Sequence, residues 1–146
     1  MTTNSRHVEV TYCDDIRQET GNKVSLMGVY STDLNVTAPV MLARLCIAVK
    51  VVTDISDPFT SVSIRVLQGE DHVEIASAGP IAIPEKPSVD LVKNHYMALH
   101  FAIVLSPFQI EKDTILRVRA LTEREELKGP ALRIHIVPDP NQAVKH

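Results

Sequence analysis

The chain has 146 residues, a formal net charge of -3, 45% hydrophobic, 23% charged and 4% aromatic residues, and no tryptophan. That length suffices for one domain with a core of its own, here necessarily aliphatic, and the composition excludes general disorder. The acidic balance argues against a general nucleic-acid coat, which needs many cations to displace phosphate counterions.

Residues 1–6 are polar and precede no apolar h-region, so they read as a loose tail rather than a secretion signal. His7–Cys13 alternates, with Val8, Val10 and Tyr12 on one face, the period of a half-buried strand. An acid-rich loop follows, joined by Gly21-Asn22 to a strand over Lys23–Ser31 that Gly28 interrupts as a bulge or close approach. Short helical turns are expected at Asp15–Gln18, Val40–Arg44 and Ser88–Asn94. Leu45–Thr53 sets Leu45, Ile47, Val49 and Val51 on one side and Cys46, Ala48, Lys50 and Val52 on the other.

Thr60–Leu67 alternates Val62, Ile64 and Val66 with Ser61, Ser63 and Arg65, and a turn at residues 68–71 leads to Val73–Ser77. Three prolines within Gly79–Pro87 mark an edge or a crossover, since proline donates no ladder hydrogen bond. Tyr96–Leu105 is apolar at nearly every position. Thr114–Leu121, a charged loop over Thr122–Gly129, and Ala131–Val137 complete the pattern, and the tail from Pro138 is expected to be loose. About eight strands rich in β-branched residues predict an all-β, two-sheet, immunoglobulin-like sandwich with Greek-key connections, one domain over residues 1–146. The expected core is Leu26, Leu45, Ile47, Val49, Val62, Ile64, Val66, Phe101, Val118 and Ile134.

The run Cys13-Asp14-Asp15-Ile16-Arg17-Gln18-Glu19-Thr20-Gly21-Asn22-Lys23-Val24-Ser25-Leu26-Met27-Gly28-Val29-Tyr30 resembles a known signature. It is that of a family of uncharacterised bacterial proteins, a prophage setting included: Cys-Asp-x-Ile-Arg-x-Glu-x-Gly-Asn-Lys-x-Ser-Leu-x-Gly-Val-Tyr. The likeness continues more loosely through Pro39, Leu45–Thr53 and Pro58-Phe59. It implies no activity, because the family carries none established.

The acids Asp14, Asp15 and Glu19 are the weak candidates for a metal, since hard cations take several carboxylate oxygens. They lack the alternating order that wraps a chain around an ion, so local hydrogen bonds and an Arg17 ion pair are expected instead. Six histidines form neither a His-Glu-x-x-His helix nor a His-x-His pair. No nucleophile elbow or phosphate-cradling glycine loop occurs. Cys13 and Cys46 are expected to be reduced thiols in a cytoplasmic protein. No cofactor, catalytic group or membrane span is expected, and the chain reads as non-enzymatic.

Two surfaces stand out. Arg117 and Arg119 share a strand face, as do Arg133 and His135. A hairpin closed by Thr122–Gly129 would set Arg119 near Arg133 and Arg117 near His135, a candidate site for a small anion. Such facing cations need a carboxylate, solvent or a bound anion between them. The second surface is an interface candidate formed by Met97, Leu99, Phe101, Ala48 and Val52, because extended apolar patches mark association sites. The preferred function is an interaction or assembly module working through a protein partner or self-association. The alternatives are an anion- or nucleotide-sequestering protein and a metal-dependent hydrolase.

Overall fold

The computed structural model describes residues 5–83, 92–93 and 95–139, the pair 92–93 by its backbone alone. Every regular element among them is a strand. In chain order these are β1 (His7–Glu19), β2 (Lys23–Val29), β3 (Leu34–Val36), β4 (Val40–Leu42), β5 (Leu45–Asp54), β6 (Ser61–Gln68) and β7 (Val73–Ala82). They continue with β8 (Val92–Lys93), β9 (Tyr96–Leu105), β10 (Phe108–Ile110), β11 (Thr114–Thr122), β12 (Glu126–Lys128) and β13 (Leu132–Ile136). Eight correspond to the alternating segments of the sequence. The short β3, β4, β8, β10 and β12 are additions, too brief to show a period.

One sheet has the order β2-β1-β5-β9-β8 and curls at its β1–β2 side. The second runs β3-β13-β11-β6-β7, with β12 also paired to β11, and β4 pairs separately with β10. Pairing is antiparallel except between β13 and β3. The two larger sheets share one core. Directly opposed residues such as Ile47 with Ile103 and Val49 with Phe101 present one inner face, and Val62, Ile64, Val66, Leu116, Val118 and Ile134 meet it from the second sheet. Each such side chain contributes roughly 1.5–3 kcal/mol on leaving water. Tyr12 links the sheets, its hydroxyl donating to the Pro130 carbonyl at 2.8 Å, and burial pushes that phenol well above its usual range.

Several expectations need correction. Asp15–Gln18 is no helical turn but part of β1, because Ile16, Arg17 and Gln18 find ladder partners in Leu26, Ser25 and Val24. Gly21 and Asn22 close that hairpin at φ 85° and 57°, left-handed values tolerated by those two residue types. Val40–Arg44 likewise begins as β4 against β10. The turn over Ser88–Asn94 lies outside the described residues, apart from the strand backbone of Val92–Lys93. Leu26 is 37% exposed and does not join the core, whereas the other nine expected core residues do. Gly79 and Pro80 belong to β7, an edge strand as the prolines required; residues 84–87 are outside the described set. Finally, Arg6 is not in a loose tail: it is buried.

Candidate functional site

The run from Cys13 to Tyr30 builds a corner. β1 pairs with β5 from His7↔Val52 to Cys13↔Cys46 and then leaves it, continuing only with β2. At this point Asp14 faces Gly28, whose φ is 66° and whose missing side chain leaves room for the Asp14 carboxylate. The Tyr30 hydroxyl donates to Asp14 Oδ1 at 2.5 Å, and the Tyr30 amide donates to the Tyr12 carbonyl at 2.9 Å. On the far side of the corner, Arg44 donates to Asp15 Oδ1 at 2.8 Å, with Arg17 at 3.4 Å from Oδ2. These bonds, Arg44's above all, hold the Asp15 carboxyl below the usual range.

Beyond the corner, the β1–β2 hairpin forms an arm that curls back over the outer face of its own sheet. Ile16, Gln18, Val24 and Leu26 look down on Thr11, Ala48 and Ala102, and a groove of about 490 Å³ lies between them. Small residues make this possible. Thr11, Ala48 and Ala102 stand directly opposite one another across β1, β5 and β9, a row without bulk. The adjoining row is Glu9, Lys50 and His100, which closes one end of the groove with charge. Lys50 Nζ is 3.8 Å from Glu9 Oε2. Burial, then the Lys50 cation, pushes the His100 imidazole below its ordinary value, with Glu9 acting in the opposite sense.

The arm is also an edge. β2 ends its sheet, and Val24, Leu26, Met27 and Val29 are 51%, 37%, 44% and 49% exposed. Their alternation puts apolar groups on both faces of a strand whose outer backbone groups have no strand neighbour among the described residues. Lys23 is its lone charge. Edge strands usually carry charges, prolines or covers that block pairing with another chain; within β2 only Lys23 does so.

The expected interface residues sit elsewhere. Met97, Leu99 and Phe101 belong to the protein's own core, because they share the inner face of β9. Val52 is on the outer face but only 7% exposed. Of the five, Ala48 and Phe101 border the groove, Phe101 from within the core.

The four basic candidates share one sheet but not one site. Arg119 faces Arg65 on one side and Lys128 on the other, while Arg133 faces Ile115. Arg133 therefore lies about 13 Å along β11 from Arg119, at roughly 3.3 Å per residue. The hairpin pairing of Arg119 with Arg133 fails because β12 takes that stretch of β11. Carboxylates offset the facing cations: Glu74 is 2.7 Å from Arg65, and Glu126 is 3.8 Å from both Arg65 and Arg119. Arg117 donates to the Gly69 carbonyl at 2.9 Å. His135 stands between Asp33 at 3.0 Å and Asp113 at 3.8 Å rather than beside Arg117. As for the acids, Asp14 and Asp15 take the separate partners above and Glu19 faces Lys23 at the arm's tip. Among the described residues, no three His, Cys, Asp or Glu side chains are placed to hold a metal ion.

Sequence reasoning missed Arg6. Its guanidinium packs over the Phe59 ring at 4.7 Å. It donates to the Thr53 and Thr122 hydroxyls at 3.3 Å and to the Pro58 carbonyl at 2.9 Å. Asp57, Glu123 and Glu125 add carboxylates at 3.3 Å, 2.5 Å and 3.4 Å. Arg124 adds a second cation, bound to Asp57. The partners come from residues some 50 and 117 positions away, so nothing local to Arg6 advertises them. The cage ties the start of β1 to the β5–β6 and β11–β12 loops.

Family models, curated proteins and solved structures yield no match to this chain. No helix among the described residues is long and apolar enough to cross a membrane.

Proposed function

We propose that this protein is a non-enzymatic interaction module that self-associates through β2. The carrying observation is the unguarded edge: seven residues, one charge, and exposed apolar side chains on both faces. Adding a strand to such an edge satisfies its outward N–H and C=O groups and covers the apolar pairs. Charge favours a second copy in antiparallel orientation. With the two-fold axis at Leu26, each Lys23 meets the other copy's Val29, so the two cations sit at opposite ends and like charges never face. A two-fold contact also closes on itself and leaves no further β2 edge exposed.

An immunoglobulin-like sandwich with Greek-key connections is the architecture we assign to this module, supported by the shared core and by β1, β5 and β9 lying side by side although distant in sequence. Free buried cysteines fit a cytoplasmic setting, and the corner residues supply a structural reason for the signature of the proposed family. The arginine face and a hydrolase site gain no comparable support, since Glu74 and Glu126 lie among the arginines and the three acids diverge. Light scattering at micromolar concentration tests the reading. A dimer is expected, reduced to a monomer by Met27→Lys or Val24→Pro with circular dichroism unchanged. A monomeric wild-type chain that copurifies with no protein would sink it.

A further inference from the structure

The last rung of the β1–β5 ladder is Cys13 opposite Cys46, and both are free, with exposures of 0% and 1%. Directly opposed residues in an antiparallel pair have Cα atoms about 4.5–5.5 Å apart and side chains on one face. Disulfides need Cα separations of about 4.4–6.8 Å, so the backbone already has the required spacing. Both thiols are buried where β1 parts from β5. Past this rung β1 has no partner in β5, which makes the cysteine pair the root of the arm.

We propose that Cys13 and Cys46 are a redox modification site whose oxidant is a hydroperoxide, and that their disulfide fastens the arm to β5. Burial selects a small oxidant over a bulky disulfide. One thiolate attacks a peroxide oxygen, the O–O bond breaks, and water leaves after protonation, with the sulfur now a sulfenic acid. The second sulfur attacks the first, forming the S–S bond and expelling a second water. Two thiols and one hydrogen peroxide thus give one disulfide and two waters. The inference is independent of β2 pairing. Burial raises both thiols, so reaction should quicken as pH rises.

The test is hydrogen peroxide treatment of the intact protein, followed by unfolding in maleimide and mass measurement. The expected product is a monomer lighter by two hydrogens, with maleimide uptake falling from two sites to none and restored by dithiothreitol. Hydrogen exchange across residues 14–29 should slow on oxidation. Cys46→Ser and Cys13→Ser should each form no internal bond and instead gain oxygen on the remaining cysteine. Two thiols still alkylated after a dose that oxidises a free-thiol peptide, sulfinic acid on either cysteine of the wild type, or a covalent dimer would each overturn the site. Unchanged exchange in the arm after bond formation would overturn the fastening.

Discussion

Asp14 occupies the space that a side chain at residue 28 would need: a Cβ built on Gly28 falls 2.2 Å from Asp14 Oδ2. The corner of the β1–β2 arm therefore depends on one residue lacking what its neighbour fills. Gly28→Ala should destabilise the protein by about 1–3 kcal/mol, combining an unfavourable φ with a steric clash. Adding Asp14→Ala should relieve the clash with the carboxylate, leaving the φ penalty, the 3.0 Å approach of the residue 14 Cβ and the lost Tyr30 hydrogen bond. Urea denaturation of the single and double variants reads the difference.

Removing Arg6 takes one donor from each of several polar groups. Thr53 keeps the Asp57 carbonyl, Thr122 the Arg124 and Glu125 amides, and Glu123 the Thr60 amide, so Arg6→Ala should cost less than the roughly 3–5 kcal/mol of a fully buried broken pair. Arg6→Lys keeps the charge but not the planar fork, so an intermediate loss is expected. Chemical denaturation of both variants checks the order.

Acid should weaken the fold in two windows. His100 is held below its ordinary value of 6.5 by burial and by Lys50. Its contribution is complete above 6.5 and is lost as pH falls through the lower folded value, because the unfolded chain protonates first. Lys50→Ala should move the His100 titration seen by NMR upward, and Glu9→Ala should move it down. A lower window comes from Asp57, bound by Arg124, and from Glu123, where hydrogen bonds from Arg6 and the Thr60 amide overcome the opposing effect of burial. Both carboxyls titrate below their ordinary 3.8 and 4.5, so stability present above those values falls away beneath them. Arg124→Ala should flatten the Asp57 part of a thermal midpoint-against-pH curve.

Val49 is 2% exposed and faces Phe101 across β5 and β9. Val49→Asp places an unpaired charge in an aliphatic core, where the effective penalty is several kcal/mol. Loss of cooperative unfolding is expected. A variant that melts like the parent would remove Val49 from the core.

The inner faces of β5, β6, β9 and β11 were readable along the chain because strand side chains alternate by covalent geometry alone. Leu45 through Val51 and Val62 through Val66 show this without any knowledge of partners. The same alternation named Met97, Leu99 and Phe101 correctly as one face of β9, yet it could not say whether that face met solvent, another copy or the core. Nor could it show that the acid run after Cys13 extends as strand: Asp15 and Arg17 have no intrinsic strand preference, and only the hairpin partner β2 supplies their ladder bonds. Register is the decisive quantity that one strand does not contain. It sets Arg119 against Arg65 rather than Arg133, brings Arg6 beneath Glu123, and opposes Cys13 to Cys46. Local alternation thus determined an all-β chain and most of its core. Pairing between distant segments, a balance of hydrogen bonds and burial summed over the whole molecule, decided the arm, its groove and its dithiol root.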